Sequence, residues 1–519
     1  MKISVNAKKK VSNLHNFWNN IHFHPTDAIE DIWGQQVLDN VSKDKVAKHV
    51  RMHAMLEDIV SRNEDGKLEY DFTNCDTRCD YFIKKGFKAL ICFGFMPVCL
   101  ASNKIATAGN IRNNILRYKG KTISWSTPAD YDEWKAVCAE YTRHLIDRYG
   151  EEEISTWYFH CWNEPDSAFW FNGMPLADLE ETNATDKIEE YNKLYDYFAA
   201  GVTSVSDKIK IGGPSVEGSD RFVKLFLEHV TAGKNYVTGL QGTRMDFISV
   251  HCYSNEIYSK LPNKTYVSPE NILQRLKTFQ TFLEEYGIGS KEILMDEWGI
   301  SGGGFKGIDK DPRRIFRETE YYSSFYARLI DLIRHEKSLN LSIMMICLSG
   351  QDHTVLDFDG YRTFFTASGY KKPIYNGYAI CAKLGNYLLD TDYEMDEYSG
   401  IIPTMDEEGN IKILLYRHCD VFDAKIDNVN VKLCVEGLSD GEYRVKHYRI
   451  DKNTSNSFAK WCELGRPERP TMLQKDVIKK AGDLALYYPE EIADLKGTYE
   501  QDVVMQQNSI SLIEIEKIV

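Results

Sequence analysis

The stretch Ile154–Pro165, ISTWYFHCWNEP, reads as a continuous apolar strand until its last residues, where an amide and a carboxylate, Asn163 and Glu164, stand together before a proline. A strand that is apolar on both faces belongs in a parallel sheet covered on both sides. Seven more runs of this kind occur, each ending in polar or special residues: residues 20–25, 46–56, 87–97, 208–215, 245–254, 292–299 and 341–350. Amphipathic helical patterns lie between them, for example at 130–150, 188–205, 269–287 and 317–335, and a last one at 372–389 completes the eighth unit. Eight such alternations predict an α/β fold, a closed (β/α)8 barrel of the TIM type.

The texture changes near Gly400, where alternating strands and turn residues replace the long apolar runs. Hairpins at this spacing predict a C-terminal antiparallel β-sandwich. The short opening KISV has strand character and is expected to join it, since chain termini often lie near each other. The division expected is therefore 1–13 as an N-terminal strand of the sandwich, 14–392 as the barrel and 393–519 as the sandwich.

Composition limits the functions open to the chain. With 519 residues, 43% of them hydrophobic, it can bury more than one sizeable core. Its net charge of -14 argues against nucleic acid, whose phosphates require a basic surface. No apolar segment follows the basic N-terminal residues and no run of 18 apolar residues occurs, so a membrane partner is not expected and a cytoplasmic location is. A homo-oligomeric state is left open. The twelve cysteines are scattered through apolar segments, as small buried hydrophobes of a reducing compartment are. Cys75 and Cys79 share a helix face, but no second Cys or His pair follows at finger spacing, so neither a metal site nor another cofactor is expected.

In a (β/α)8 barrel the active site is built at the C-terminal ends of the strands. Glu164 ends the fourth strand and Glu297, in EILMDEWG, ends the seventh. They are 133 residues apart (164 to 297), against about 90 for three βα units of roughly 30 residues, so enlarged loops are expected over the barrel mouth. Two carboxylates converging on one pocket suit glycosidic bond cleavage: one protonates the leaving oxygen, and the other attacks the anomeric carbon or activates water. On this reading Glu164 is the acid/base and Asn163 donates to a sugar hydroxyl. The competing structural reading has Glu164 as a cap and Pro165 as a strand stop, and it leaves Glu297 unexplained.

At these residues the chain resembles glycoside hydrolase family thirty-nine, which includes β-xylosidases and α-L-iduronidases and belongs to a retaining clan with paired glutamates on strands four and seven. HVRMHAMLED, KALICFGFMPVCLAS, the segment TPADYDEWKAVCAEYTRHLIDRYGEEEISTWYFHCWNEPD, KIGGPS, DFISVHCYS, ILMDEWG and GYKKPIYNGYAICAKLG carry the resemblance, from about Phe17 to Leu389. It implies Glu164 as general acid/base, Glu297 as nucleophile and Asn163 as the residue holding the 2-hydroxyl. It implies that His251 and Tyr253 orient the nucleophile and contact the sugar, and that Arg51 and His53 line the pocket floor. For these last four a satisfied core polar group is the alternative, Arg51 pairing with Glu297 to keep it ionised.

Two departures stand out. His160 occupies a position where the family usually has glutamate, and core packing is the expectation for it. The eighth strand lacks the family's tryptophan: MMICLSGQDHTVLDFDG puts Ile346 or Cys347 at the aromatic platform position, with Gln351, Asp352 and His353 as the nearest polar groups for distal hydroxyls. Trp298, Trp170 and Phe171 are then the candidates to supply a ring beneath the sugar. The activity expected is that of a retaining exo-glycosidase cleaving small glycosides by double displacement, foremost a β-D-xylosidase. The alternatives are an arabinosidase, galactosidase or uronidase of the same family, or a carbohydrate-binding protein without catalysis.

Overall fold

The eight strands Asn20–His22, His49–His53, Lys88–Phe93, Tyr158–Cys161, Lys210–Val216, Phe247–Tyr253, Glu292–Gly299 and Leu341–Cys347 close into a parallel barrel in chain order, the eighth pairing with the first. The computed structural model describes residues 1–518 other than 25–26, 103–116, 168–180, 255–266, 305–306 and 349–355, with the side chains of 117 and 181–186 also excepted.

Helices Ile32–Lys43, Thr73–Lys85, Tyr131–Tyr149, Glu181–Thr203, Asp220–Ala232, Pro269–Glu285, Glu320–His335 and Pro373–Cys381 follow the eight strands in turn. Local chemistry starts them: the Asp130 side chain accepts from the amides of Asp132 and Glu133, Ser219 accepts from Phe222, and Pro269 and Pro373 open their helices with the φ a first turn needs. Leu90, Tyr158, Phe247, Leu294, Ile343 and Met345 fill the barrel floor, while alternate strand residues pack against the helices.

Chain 372–389, read as one helix from its sequence, is helical only over Pro373–Cys381. Gly385 lies so close to the Met405 backbone that a Cβ there would come within 2.2 Å of it, and Tyr387–Glu394 is already a strand. A tertiary contact that only glycine permits turns the chain out of the helix.

The second body is a curled ten-stranded sheet. Its pairings are antiparallel apart from one, between Lys2–Asn6 and Lys432–Glu436, where the first strand of the chain, Lys2–Asn13, also pairs with Tyr387–Glu394. The sheet curls over a core of its own that includes Ile3, Val5, Ile413, Leu433, Val445 and Ile513. Its other face carries Ile402, Leu414, Tyr416, Ile510 and Leu512 into the barrel's core cluster. Alternation along one strand thus serves two cores, Ile413 and Leu415 on one side and Leu414 and Tyr416 on the other.

Candidate active site

The fourth strand ends in two left-handed residues, Trp162 (φ 67°) and Glu164 (φ 47°), conformations that cost a residue with a Cβ about 1 kcal/mol or more each. They are held by main-chain bonds, Trp162 N–H to Phe93 O and Glu164 N–H to Ser215 O, so the turn follows the neighbouring strands rather than local preference. This turn lifts Glu164 to the barrel mouth.

Across the mouth stands Glu297. An oxygen of Glu164, one of Glu297 and a ring nitrogen of His251 all lie within 4.8 Å of one another. His251 Nδ1 is 2.8 Å from Glu164 Oε1 and 3.8 Å from Glu297 Oε2. Glu297 is further held by Tyr253, whose hydroxyl donates to Oε1, and by Arg51 Nη1 and His22 Nδ1, each 3.2 Å from Oε2. Arg51 Nη2 donates to Asn163 Oδ1 at 2.6 Å. With Oδ1 so occupied, the Asn163 amide NH2 is the group left to face a ligand.

These contacts push the two glutamates apart in acidity. Burial raises the Glu164 carboxyl above its ordinary range, with the His251 contact opposing. Burial also works on Glu297, but His251, His22 and Arg51 outweigh it and hold that carboxyl well below its ordinary range. His251 is raised well above the usual imidazole value because Glu297 and Asp296 overcome burial. His22, by contrast, is lowered by burial and by Arg51 to about 4 and stays neutral. The two carboxyls that face each other thus differ in acidity, Glu164 the weaker acid and Glu297 the stronger.

Below the glutamates lies a fully buried polar layer. Arg51 Nε points at His160 Nε2 (3.2 Å) and Asp296 Oδ2 (3.1 Å). Because a guanidinium only donates, His160 Nε2 is the acceptor and Nδ1 carries the proton, which it gives to Ser215 Oγ at 2.9 Å. Ser215 in turn donates to Asp296 Oδ2 at 2.7 Å. His160, expected as core packing, is part of this layer.

Arg51, Asn163, Glu164, His251, Tyr253 and Glu297 are thus brought together. His53 is close by: its ring is 6.1 Å from His22 and stacked on Phe95, Nδ1 is 3.3 Å from Gly94 O, and the buried Nε2 has no partner among the described residues. Trp298 is not at the site. Its indole is fully buried between barrel and helices, stacked on Phe325 and Tyr326, and donates to the Tyr378 hydroxyl, because alternation turns it outward where its neighbour Glu297 turns inward. The platform position resolves the same way: Ile343 and Met345 line the barrel interior, so Cys347 faces the site, while Ile346 packs with the helices. Trp170, Phe171, Gln351, Asp352 and His353 lie outside the described residues.

Sequence reading missed His22, Ser215, Asp296 and Arg362. The inward alternation of the first strand is a signal for His22. Asp296 gives none, because strict alternation places it outside; a bulge brings it in. Ser249 pairs with Leu294 and His251 with Glu297, and Met295 pairs with Met344 and Trp298 with Ile346, so the seventh strand carries an extra residue against both neighbours. Arg362 arrives from beyond the eighth strand and lies 4.7 Å over the Tyr253 ring. Gly299 makes room for that ring: a Cβ there would come within 2.8 Å of it.

As to metals, two trios of buried side chains, His22–Glu297–Cys347 and Glu164–His251–Glu297, bring their ligand atoms close enough to hold an ion. Both share Glu297, whose Oε2 already has the Arg51 cation 3.2 Å away. Among the described residues no helix is long and apolar enough to cross a membrane.

The sequence model described as Glycosyl hydrolases family 39 matches residues 1–486. A beta-xylosidase of Caldicellulosiruptor saccharolyticus is 27% identical over 507 residues, covering 93% of this chain and 92% of its own. A beta-xylosidase of Geobacillus stearothermophilus is 24% identical over 487 residues, covering 91% and 86%. The crystal structure of a monomeric beta-xylosidase from Caulobacter crescentus CB15 shares the fold, with a TM-score of 0.81 at 20% identity over the whole of both chains. The chain belongs to Glycosyl hydrolases family 39, and with that family's match across almost its whole length it is a glycosidase.

Proposed function

We propose that the protein is a retaining exo-glycosidase, a β-D-xylosidase, acting on small glycosides by double displacement. The observation that carries this reading is the approach of Glu164 and Glu297 oxygens to within 4.8 Å of one another. Retaining enzymes hold their carboxyl groups about 5–5.5 Å apart, whereas inverting ones need about 6.5–9.5 Å to admit a water. The relatives at 27% and 24% identity, both beta-xylosidases over most of their length, support the choice of sugar.

On this reading the ionised Glu297 attacks the anomeric carbon while Glu164 gives its proton to the departing oxygen. The glycosyl ester then formed on Glu297 is released by a water that Glu164, now a base, deprotonates. Asn163 holds the 2-hydroxyl through its NH2, and Arg51, Tyr253, His22 and His251 keep the nucleophile charged until attack. His53 offers its Nε2 to the sugar, and Gln351, Asp352 and His353 contribute to the choice among sugars. No metal takes part, so exhaustive chelation leaves turnover unchanged.

The alternative of a sugar-binding protein without catalysis leaves the opposite acidities of the two glutamates without a use. The twelve cysteines are all free, which supports a reducing, cytoplasmic setting. Turnover of a panel of 4-nitrophenyl glycosides, with the anomer of the first product read by NMR, tests the proposal. An inverted product, or no turnover of any glycoside by folded protein, counts against it.

A further inference from the structure

Asp296 is a buried carboxylate directly behind the two glutamates, and the reaction does not use it. Its side chain is fully buried, whereas those of Glu164 and Glu297 are each 11% exposed, so the two glutamates reach the opening and Asp296 lies behind them. Two groups stand between it and the glutamates. Arg51 turns its Nε edge to Asp296 Oδ2 at 3.1 Å and its other two nitrogens to Glu297 and Asn163. His251 has Nε2 3.8 Å from the same Oδ2 and Nδ1 on Glu164. A guanidinium is a rigid plane, so fixing its Nε edge fixes where its other two nitrogens point, while at 3.8 Å Asp296 acts on the His251 ring through its charge. Among the described residues, Asp296 and Glu297 are the carboxylates that pair with Arg51.

The backbone is distorted to put Asp296 there. The extra residue in the seventh strand, against both neighbouring strands, lets two successive side chains, Asp296 and Glu297, turn inward. A second register shift, between Pro214 and Val216, accompanies the left-handed Ser215 (φ 54°) whose hydroxyl donates to Asp296.

We propose that Asp296 is a positioning residue for glycosyl transfer: its carboxylate sets the plane of Arg51, and through it the placement of Glu297 and Asn163, and its charge faces the His251 ring that contacts Glu164. The inference rests on the reading of Glu164 as acid/base and Glu297 as nucleophile. Without the Asp296 charge, Glu297 is left as the sole anion on Arg51. The guanidinium then swings toward Glu297, releases Asn163 and over-stabilises the ground state of the nucleophile. Loss of one negative charge also makes the carboxyls nearby easier to ionise, so Glu164 gives up its proton at lower pH.

The geometry supplies a rescue, because His160 Nε2 meets the same Nε of Arg51 at 3.2 Å, so a carboxylate at residue 160 faces the edge that Asp296 holds. The experiment compares the parent, Asp296→Asn and the double variant Asp296→Asn/His160→Glu, reading kcat/KM on 4-nitrophenyl β-D-xyloside across pH and the thermal midpoint. Asp296→Asn is expected to lose about 100-fold in kcat/KM, mostly in kcat, the size of effect of removing one preorganised electrostatic group. Its alkaline limb moves to lower pH and its midpoint falls by several degrees. The double variant regains at least about tenfold, with limb and midpoint moving back toward the parent. A double variant that is unfolded, or no more active than Asp296→Asn, overturns the proposal, as does an Asp296→Asn enzyme with the parent's rate and pH limb. An Asp296→Asn protein too unstable to assay, beside a folded and active double variant, supports it. The thermal midpoint involves no substrate, so it reports on the Arg51–Asp296 pairing separately. Turnover surviving Glu297→Ala would remove the underlying reading instead.

Discussion

The imidazole of His251 stands between the two glutamates, 2.8 Å from Glu164 Oε1 and 3.8 Å from Glu297 Oε2 through the same Nδ1. Held protonated by the carboxylates around it, the ring is a positive charge that lowers both. Replacing His251 by Asn removes that charge, and carboxyl groups that lose a neighbouring cation become harder to ionise. Glu297 then takes up a proton at higher pH than in the parent. The acid limb of the kcat/KM profile is expected to move to higher pH, with a loss of about 100-fold at its maximum. A pH profile of the His251→Asn enzyme whose acid limb coincides with the parent's would show that the ring does not act on the nucleophile.

The two glutamates are expected to fail differently when truncated. Glu297→Ala removes the bond-forming group and abolishes turnover of every substrate. Glu164→Ala removes a proton donor, whose contribution is about 100- to 10,000-fold for a leaving group that needs protonation and far less for one that does not. Steady-state rates on a dinitrophenyl and on a methyl or alkyl glycoside separate the two cases. Equal losses on both for Glu164→Ala contradict its assignment.

Trp298 carries a different expectation, because it stacks on Phe325 and Tyr326 away from the mouth. Trp298→Ala opens a cavity in packed core and costs about 3–5 kcal/mol of stability, while Trp298→Phe costs less and leaves the order of preferred sugars unchanged. Denaturant unfolding and a glycoside panel read the two effects. A reordering of sugars by Trp298→Phe would return this ring to the pocket.

Trp298 and Asp296 also mark how far the sequence could be read. The periodicity of eight apolar runs announces the barrel, since burial on both faces leaves few other folds, and the polar ends of the fourth and seventh strands announce Glu164 and Glu297. Side-chain direction near those ends is where sequence reading gives way. Strict alternation, applied to EILMDEWG from Glu297, sends Asp296 outward, but the bulge turns both inward. The residue that alternation does turn away, Trp298, is one of the three rings, with Trp170 and Phe171, expected beneath the sugar. A bulge depends on the register of three strands at once, and no stretch of one strand encodes it. Arg362 was hidden for a related reason: it reaches Tyr253 from a connection whose course depends on Gly299 being bare.

Stability is expected to fall between neutral pH and about pH 4 because of buried neutral histidines. His22 and His447 are each lowered to about 4, by burial first and then by a neighbouring arginine, Arg51 and Arg449 respectively. The unfolded chain binds these protons near pH 6.5 and the folded chain only near 4. Their contribution is therefore fully present above about pH 6.5 and is lost as pH falls toward 4, on the order of 3 kcal/mol per group. His251 has the opposite sign: raised in the fold, it contributes most below its ordinary value and loses that contribution as pH rises through its folded one. Urea unfolding at pH 7 and at pH 4.5 gives the slope, and His447→Gln, which cannot titrate, removes one group's share of it. An unchanged slope in that variant would sink the account for His447.

The choice among sugars is expected to answer to Cys347 and not to Ile346, although the two are neighbours on one strand. Cys347 Sγ lies within 4.8 Å of ligand atoms of both His22 and Glu297, at the height where the nucleophile meets the sugar. Ile346 points the other way and belongs to the core between strands and helices. A thiol cannot stack on a sugar face as an aromatic ring does, so the cavity it lines is wider than one closed by an indole. Enlarging Cys347 to Leu narrows that space and disfavours sugars with an exocyclic carbon more than it disfavours xylose, which has none. A size difference of one or two carbons in such a pocket is worth about 10- to 200-fold. The ratio of kcat/KM for xyloside over glucoside is therefore expected to rise in Cys347→Leu. In Ile346→Ala it stays at the parent value while stability drops by about 2–5 kcal/mol, because only packing is lost. If the ratio moves in Ile346→Ala and stays fixed in Cys347→Leu, the eighth strand has been placed with the wrong face toward the substrate.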